Sequence, residues 1–145
     1  MRVLSKQSAA VLDAVTANLP VGEARVLDRS PGTYMALHVD RIGENTFALA
    51  HYFTQNGDRV CDPDGEFVKT PTGWLPTALQ LCTGHYTRAV ELDDREVPTG
   101  YRPRALQELH SFAAMWLRNA AEQQGGLAAI RAELSTSISG NNAEV

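Results

Sequence analysis

The chain has 145 residues, enough for one domain with a substantial hydrophobic core. Its 13 basic and 17 acidic residues give a formal net charge of -4, so it lacks the basic excess that is typical of nucleic-acid-binding proteins. No segment reaches the roughly 20 apolar residues of a membrane-spanning helix, and polar residues interrupt the stretch MRVLSKQSAAVLDAV where a signal peptide needs an apolar run. We therefore expect a soluble, cytoplasmic protein.

The first part of the chain predicts one helix followed by short strands. Apolar residues recur at helical spacing over 8–19, and Pro20 and Gly22 end the pattern. Short runs rich in β-branched, aromatic and leucine residues follow, each bounded by turn residues. These predicted strands are 24–28, 34–41, 46–54, 59–62, 66–69, 74–81 and 85–92. The connections are too short for parallel crossovers, so we expect an antiparallel meander.

A polar loop at 93–102 precedes the longest predicted helix, which begins at Pro103 and ends before Gly125 and Gly126. Its apolar residues form one stripe, suited to cover one face of a sheet. The expected fold class is α+β, with an N-terminal helix, a curved antiparallel sheet of about five to seven strands and a long C-terminal helix packed on it. We expect one domain over residues 1–126, then a short helix at 127–134 and a flexible tail within 127–145.

The segment HYFTQNGDRVCDP at 51–63 predicts a hairpin. Asn56 and Gly57 both tolerate positive φ, as a two-residue type I′ turn requires. With Gln55 facing Asp58, the register pairs Phe53 with Val60 and Tyr52 with Cys61. The next pair would be His51 and Asp62, with Cβ atoms about 4.5 to 5.5 Å apart.

A histidine beside an aspartate is the arrangement of a general base and its orienting group. An enzyme would use His51 and Asp62 in these roles, with His38 or His85 nearby. A nucleophile is not evident, because the sequence contains no G-x-S-x-G motif and Cys61 would face away from His51. The favoured interpretation is structural, with His51 donating to Asp62 at the edge of the core. We therefore assign no catalytic residue.

Neither a metal nor a cofactor is predicted. Asp62, Asp64 and Glu66 alternate oxygen donors, but the glycine of an EF-hand stands at the sixth position of its loop and Gly65 stands at the fourth. Pro63, Asp64 and Gly65 are typical of a turn instead. The histidines at 38, 51 and 85 lie on separate predicted strands, and the two cysteines, Cys61 and Cys82, lack a C-x-x-C spacing.

Seven aromatic residues on predicted strands raise the possibility of a stacking platform for single-stranded nucleic acid. They are Tyr34, Phe47, Tyr52, Phe53, Phe67, Trp74 and Tyr86. Such a platform needs cations between the rings, and only Arg59 and Arg88 are placed to serve. Core packing is the favoured role for most of these rings.

The block HYFTQNGDRVCDPDGEF, followed by GWLP and by G-H-Y at 84–86, resembles an uncharacterised bacterial domain family carried by mobile elements. The resemblance spans roughly residues 34–90 and transfers no catalytic residue, because no activity is assigned to that family. It implies a setting in plasmids, phages and integrative elements. Small proteins of that setting often counter host defence by obstructing a CRISPR complex or a restriction enzyme.

The favoured function is a non-enzymatic protein-binding module. Its finer form is an inhibitor of a host complex that targets nucleic acid. Acidic residues at hairpin tips and in the loop at 93–100 would contact a basic surface of the partner. These predicted binding residues are Asp58, Asp62, Asp64, Glu66, Asp93 and Asp94. The alternatives are a small enzyme and a nucleic-acid-binding sheet. Direct nucleic-acid binding and membrane association are disfavoured, and the oligomeric state stays open.

Overall fold

The computed structural model describes residues 1–29 and 34–143, with the backbone alone at 54, 55, 59, 61, 62 and 136–143. The helices are α1 (Lys6–Thr16), α2 (Pro103–Gln123) and α3 (Leu127–Ala143). The strands are β1 (Ala24–Leu27), β2 (Leu37–Arg41), β3 (Thr46–Gln55), β4 (Asp58–Thr70), β5 (Gly73–Gln80), β6 (Tyr86–Arg88), β7 (Val90–Leu92) and β8 (Pro98–Tyr101). This is the predicted α+β fold.

Strands β1 to β6 form one antiparallel sheet in sequence order, so the predicted meander is confirmed. The predicted strand at 85–92 is divided at Ala89, whose N–H donates to Thr77 O of β5 at 2.8 Å. Residues beyond Ala89 pair with β8 in a separate two-stranded sheet. The predicted loop at 93–102 was therefore wrong over Pro98–Tyr101, because its polar composition hid a strand.

The hairpin between β3 and β4 turns where the sequence predicted. Asn56 and Gly57 have φ of 51° and 83°, which are the positive values of a type I′ turn. The pairs from Gln55 and Asp58 down to Tyr52 and Cys61 follow the predicted register. Local turn chemistry therefore fixed the tip of this hairpin.

The predicted turn at 62–66 was wrong, because β4 runs unbroken from Asp58 to Thr70. The pairing shifts between Tyr52 and Ala50, whose partners are Cys61 and Asp64. One residue of β3 therefore faces two of β4, which is a β-bulge. Pro63 stands in this bulge, one of the few places where a sheet tolerates a residue without an N–H.

Gly65 lies on the face of β4 that is covered by α2. A Cβ at this position would lie 3.1 Å from Phe67 Cε2 and 3.5 Å from Trp116 Cζ3. A methyl group at this position would therefore crowd the Phe67 ring, and glycine avoids that contact within a strand and not in the turn that Pro63 and Asp64 suggested.

The three helices pack on one side of the sheet. Strand residues 37, 39, 47, 49, 67 and 74 meet residues 11, 12 and 15 of α1, 116 and 117 of α2 and 130 and 134 of α3 in one core cluster. Polar contacts fix α1, since Trp74 Nε1 donates to Asp13 Oδ1 at 2.9 Å. Arg25 and Arg41 donate to the carbonyls of Val15 and Leu19 near the end of α1.

The helix ends agree in part with the sequence pattern. Ser5 caps α1 by accepting from Ser8 N, and Pro103 opens α2 as expected. The end of α2 is followed by Gly125 and Gly126, both at positive φ. Helix α3 continues to Ala143, beyond the predicted end at 134. Within the described ranges, no helix is long and apolar enough to cross a membrane.

Glu96 ties the β7–β8 turn to the β2–β3 turn. Its carboxylate accepts from the N–H groups of Glu44 and Asn45, each at 3.0 Å, and from the Thr46 hydroxyl. Partial burial opposes ionisation, but these hydrogen bonds outweigh it and lower the pKa of Glu96. The small sheet is thereby held against one end of the large sheet.

We expect Gly65→Ala to lower the free energy of unfolding by about 1 to 3 kcal/mol, because the added methyl group overpacks the contact with Phe67 and Trp116. Gly100→Ala in β8 is the matched control, since a Cβ there meets nothing within 4 Å. Urea unfolding of both variants measures the difference. Equal stability of the two variants would contradict this account of Gly65.

Candidate functional site

The side of the sheet opposite the helices, called the open face below, carries two rows of side chains that cross six strands. The first row consists of Ala24, Asp40, Ala48, Glu66, Ala78 and Arg88. The second row consists of Val26, His38, Ala50, Asp64, Gln80 and Tyr86. Each row follows the pairing of neighbouring strands, and residues paired in this way share one face of a sheet.

Three carboxylates meet at the centre of the open face. Glu66 Oε2 accepts from Thr77 Oγ1 at 2.5 Å and lies 3.3 Å from an Arg88 guanidinium nitrogen. In the part of the chain that the structure describes, neither Asp40 nor Asp64 has an ion-pair partner. Burial raises the pKa of Asp64, and the charges of Asp40 and Glu66 raise it further. Among the described side chains of the two rows, Arg88 is therefore the one arginine beside three carboxylates.

Aromatic and apolar groups flank the carboxylates. The rings of His38 and Tyr52 meet edge to face, with centroids 4.8 Å apart. Tyr86 and Val26, at the two ends of the second row, are 53% and 54% exposed. Arg88 Nε donates to the Tyr86 hydroxyl at 3.0 Å. The open face thus combines acidic groups at its centre with exposed apolar surface at both edges, a composition suited to a protein interface.

The six predicted binding residues fall in three places. Asp64 and Glu66 lie on the open face, and Asp58 is exposed at the β3–β4 turn. The side chain of Asp62 lies outside the described part of the structure. Asp93 and Asp94 belong to the β7–β8 turn, where Asp93 Oδ1 accepts from the N–H groups of residues 95 and 97 at 2.8 and 2.9 Å. The structure therefore unites only two of the six.

Sequence reasoning missed Asp40, which lies in the first row two strands away from Glu66. Its place depends on the register of two strand pairs, Asp40 with Ala48 and Ala48 with Glu66. The alternation of buried Leu37 and Val39 with polar neighbours was the available signal.

The histidines of the enzyme interpretation do not converge. His51 is 5% exposed on the helix side of the sheet, edge-on to Trp116 with centroids 5.5 Å apart. His38 lies on the open face, and His85 is exposed beside β6, with its Nε2 3.2 Å from Thr87 Oγ1. The bulge places His51 opposite two residues of β4, Asp62 and Pro63. The side chain of Asp62 lies outside the described ones, so the contact of His51 with Asp62 stays a prediction.

No group of three metal-ligating side chains occurs among the residues whose placement is described. Asp64 and Glu66 share the open face, but the third member of the calcium interpretation, Asp62, lies outside the described side chains. Core packing is confirmed for Phe47, Phe67 and Trp74, each at most 6% exposed. Of the seven predicted strand aromatics, Tyr34 and Tyr86 are exposed.

The chain belongs to a family described as a domain of unknown function (DUF6908), whose model matches residues 9–126. This agrees with the resemblance to an uncharacterised domain. No curated protein and no solved structure matches the chain. The functional argument therefore rests on the geometry of the open face.

We expect Asp64→Asn to stabilise the fold at pH 7 by less than about 1 kcal/mol, since a half-exposed carboxylate is partly screened. A raised pKa in the folded state means that ionised Asp64 destabilises the fold as pH rises above its ordinary pKa. The gain should therefore vanish at pH 3, where the carboxyl is protonated in both states. Denaturant unfolding at both pH values tests this, with Glu108→Gln on exposed α2 surface as control. An equal gain in that control, or a gain that persists at pH 3, would refute the charge argument.

His51→Ala should lower the free energy of unfolding by about 2 to 3 kcal/mol, because it removes a buried ring from its contact with Trp116. His85→Ala, at an exposed position, should change stability by less than about 0.5 kcal/mol. Thermal unfolding measures both variants. A His51→Ala protein of unchanged stability would favour the enzyme interpretation, in which the histidine serves turnover.

Proposed function

We propose that this protein is a non-enzymatic binding module whose open face binds a basic surface of a partner protein. The observation that carries the proposal is the meeting of Asp40, Asp64 and Glu66 on a sheet face that no helix of the described chain covers. Among the described side chains, Glu66 pairs with Arg88, and the ion pairs include neither Asp40 nor Asp64. Lysine or arginine residues of a partner would neutralise the other two carboxylates.

Electrostatic strain supports a binding role over a purely structural one. Burial raises the pKa of Asp64, and the charges of Asp40 and Glu66 raise it further, so ionised Asp64 weakens the isolated fold. A residue that opposes the stability of its own fold is expected where function requires it. Cations brought by a partner would reverse this effect, so the same charge that weakens the fold would strengthen the complex.

The identity of the partner extends this proposal. Complexes that target nucleic acid carry basic surfaces that bind phosphates, and an acidic face of this kind could occupy one. The resemblance to a domain of mobile elements supports an inhibitor of a host defence complex of the CRISPR or restriction type. A cytoplasmic location is part of the same proposal, because those targets act there.

Two other functions are weaker on the geometry described. The enzyme alternative placed His38 or His85 near His51, but His51 lies on the helix side of the sheet, His38 lies on the open face and His85 is exposed beside β6. The nucleic-acid alternative relied on strand aromatics, but Tyr86 and Tyr52 flank three carboxylates that repel phosphates. A single-stranded oligonucleotide that binds at low salt and dissociates steeply as salt rises would restore the second alternative.

The binding test uses purified wild-type protein, the double variant Asp40→Asn with Asp64→Asn, and a matched control, Glu108→Gln with Glu122→Gln, which changes the same charge on α2. Each is immobilised and exposed to lysate of the organism that carries the gene, at low and at moderate salt. We expect a partner retained by wild type and control and lost from the open-face variant. Salt should weaken its capture.

The open-face variant is expected to be at least as stable as wild type, so lost capture cannot be attributed to unfolding. Unfolding curves of all three proteins accompany the capture experiment. Failure to recover any partner at either salt concentration counts against the proposal, and so does a partner retained equally by all three proteins. A captured partner whose contact surface carries no basic patch would also overturn it.

A further inference from the structure

A cleft runs along the helical side of the molecule, remote from the open face. It consists of two cavities of about 550 and 700 Å³, and Ser5, Ser8 and Ala114 line both. The first lies between the N-terminal residues and the start of α2, and the second continues between α1 and α2 toward Leu127. These volumes fall in the range of small-molecule sites, roughly 300 to 1,000 Å³. We call this continuous space the helical cleft.

Charge in the helical cleft is opposite to that of the whole chain. The residues that line the first cavity include Arg2 and His110 and no acidic residue, although the net charge of the protein is -4. The second cavity adds Lys6 and Arg118, with Glu122 as its one acidic lining residue. Over the described residues, none of these three cations forms an ion pair. The cleft therefore attracts a negatively charged ligand.

The end of the cleft at Arg2 offers an exposed guanidinium to one negative charge. The ring nitrogen Nε2 of His110 lies 2.7 Å from the carbonyl oxygen of Arg2, which fixes the chain beside α2. Burial, and the nearby charge of Arg2, lower the pKa of His110, so the ring is neutral at pH 7. One guanidinium thus supplies the positive charge, and its planar fork suits a carboxylate.

Apolar side chains continue the cleft away from this charged end. Leu4 and Leu106 line the first cavity, and Val11, Ala121 and Leu127 line the second. A ligand that fits both features is charged at one end and apolar along its length.

We propose that the helical cleft binds a monoanionic amphiphile, a carboxylate with an unbranched hydrocarbon chain of medium length. The carboxylate binds at Arg2, and the chain extends past Ala114 toward Leu127. This site is independent of the open face, so either proposal can fail without the other.

Titration of ¹⁵N-labelled protein with decanoate, kept below the concentration at which it forms micelles, tests the site. We expect saturable shifts confined to residues 1–11, to the facing surface of α2 and to residues 126 and 127. Across hexanoate, octanoate and decanoate, affinity should rise by at most about fourfold for each added methylene. Decyltrimethylammonium has the same chain and the opposite charge, and it should not saturate the cleft.

Two variants with matched controls separate headgroup from chain. Arg2→Gln should weaken decanoate binding about tenfold or more through loss of a charged hydrogen bond, whereas Arg104→Gln, at an exposed position outside the cleft, should not. Ala114→Trp fills the point where the cavities meet and should abolish binding. Met115→Trp places the same ring at a half-exposed neighbour outside the lining and should leave binding intact.

Several results would overturn the proposal. One is the absence of a saturable shift with decanoate, and another is a set of shifts that maps to the open face. If Arg2→Gln and Ala114→Trp both bound decanoate with the affinity of the wild-type protein, the cleft would not be the site. Saturation by an acidic helical peptide and not by decanoate would replace the small amphiphile with a protein partner.

Discussion

The architecture of the site depends on one extra residue in β4. The hairpin turn sets the pairing of β3 with β4 from Gln55–Asp58 to Tyr52–Cys61. If that register continued without a bulge, Asp64 would pair with Leu49. Leu49 is fully buried on the helix side, so the carboxylate of Asp64 would enter the core. The bulge at His51 instead pairs Gly65 with Leu49 and Asp64 with Ala50. Because side chains alternate between faces, this single shift sends the acidic residues outward.

The same shift organises the opposite side of the sheet. Gly65 and Phe67 now point toward α2, where the missing side chain of Gly65 lets Phe67 and Trp116 approach. Trp116 in turn contacts His51 at the bulge. Packing of α2 and exposure of the carboxylates are therefore two consequences of one register. The aromatic contacts stabilise the arrangement, while repulsion among Asp40, Asp64 and Glu66 opposes it.

Features set by local chemistry were predictable from the sequence, and features set by long-range packing were not. Asn56 and Gly57 specify their turn through backbone preference alone, and Pro103 with the paired glycines after Gln123 bounds α2 in the same way. The segment from Pro63 to Gly65 has equally good turn residues, yet it lies within a strand. It pairs with β3 on one side and with β5 on the other, and no local pattern records these pairings.

The candidate site was harder to predict than the fold for a related reason. Acidic residues in turns were prominent in the sequence. The carboxylate of Asp93, however, accepts hydrogen bonds from backbone N–H groups of its own turn. Asp40, which no motif marked, joins Glu66 only through two successive strand pairings. The net charge of -4 also gave no sign that the two sides of the molecule differ in charge. It is the sum of an acidic open face and a helical cleft lined by Arg2, Lys6 and Arg118. A modest total charge is therefore compatible with two surfaces that attract partners of opposite sign, because electrostatic recognition depends on the local field within about a Debye length.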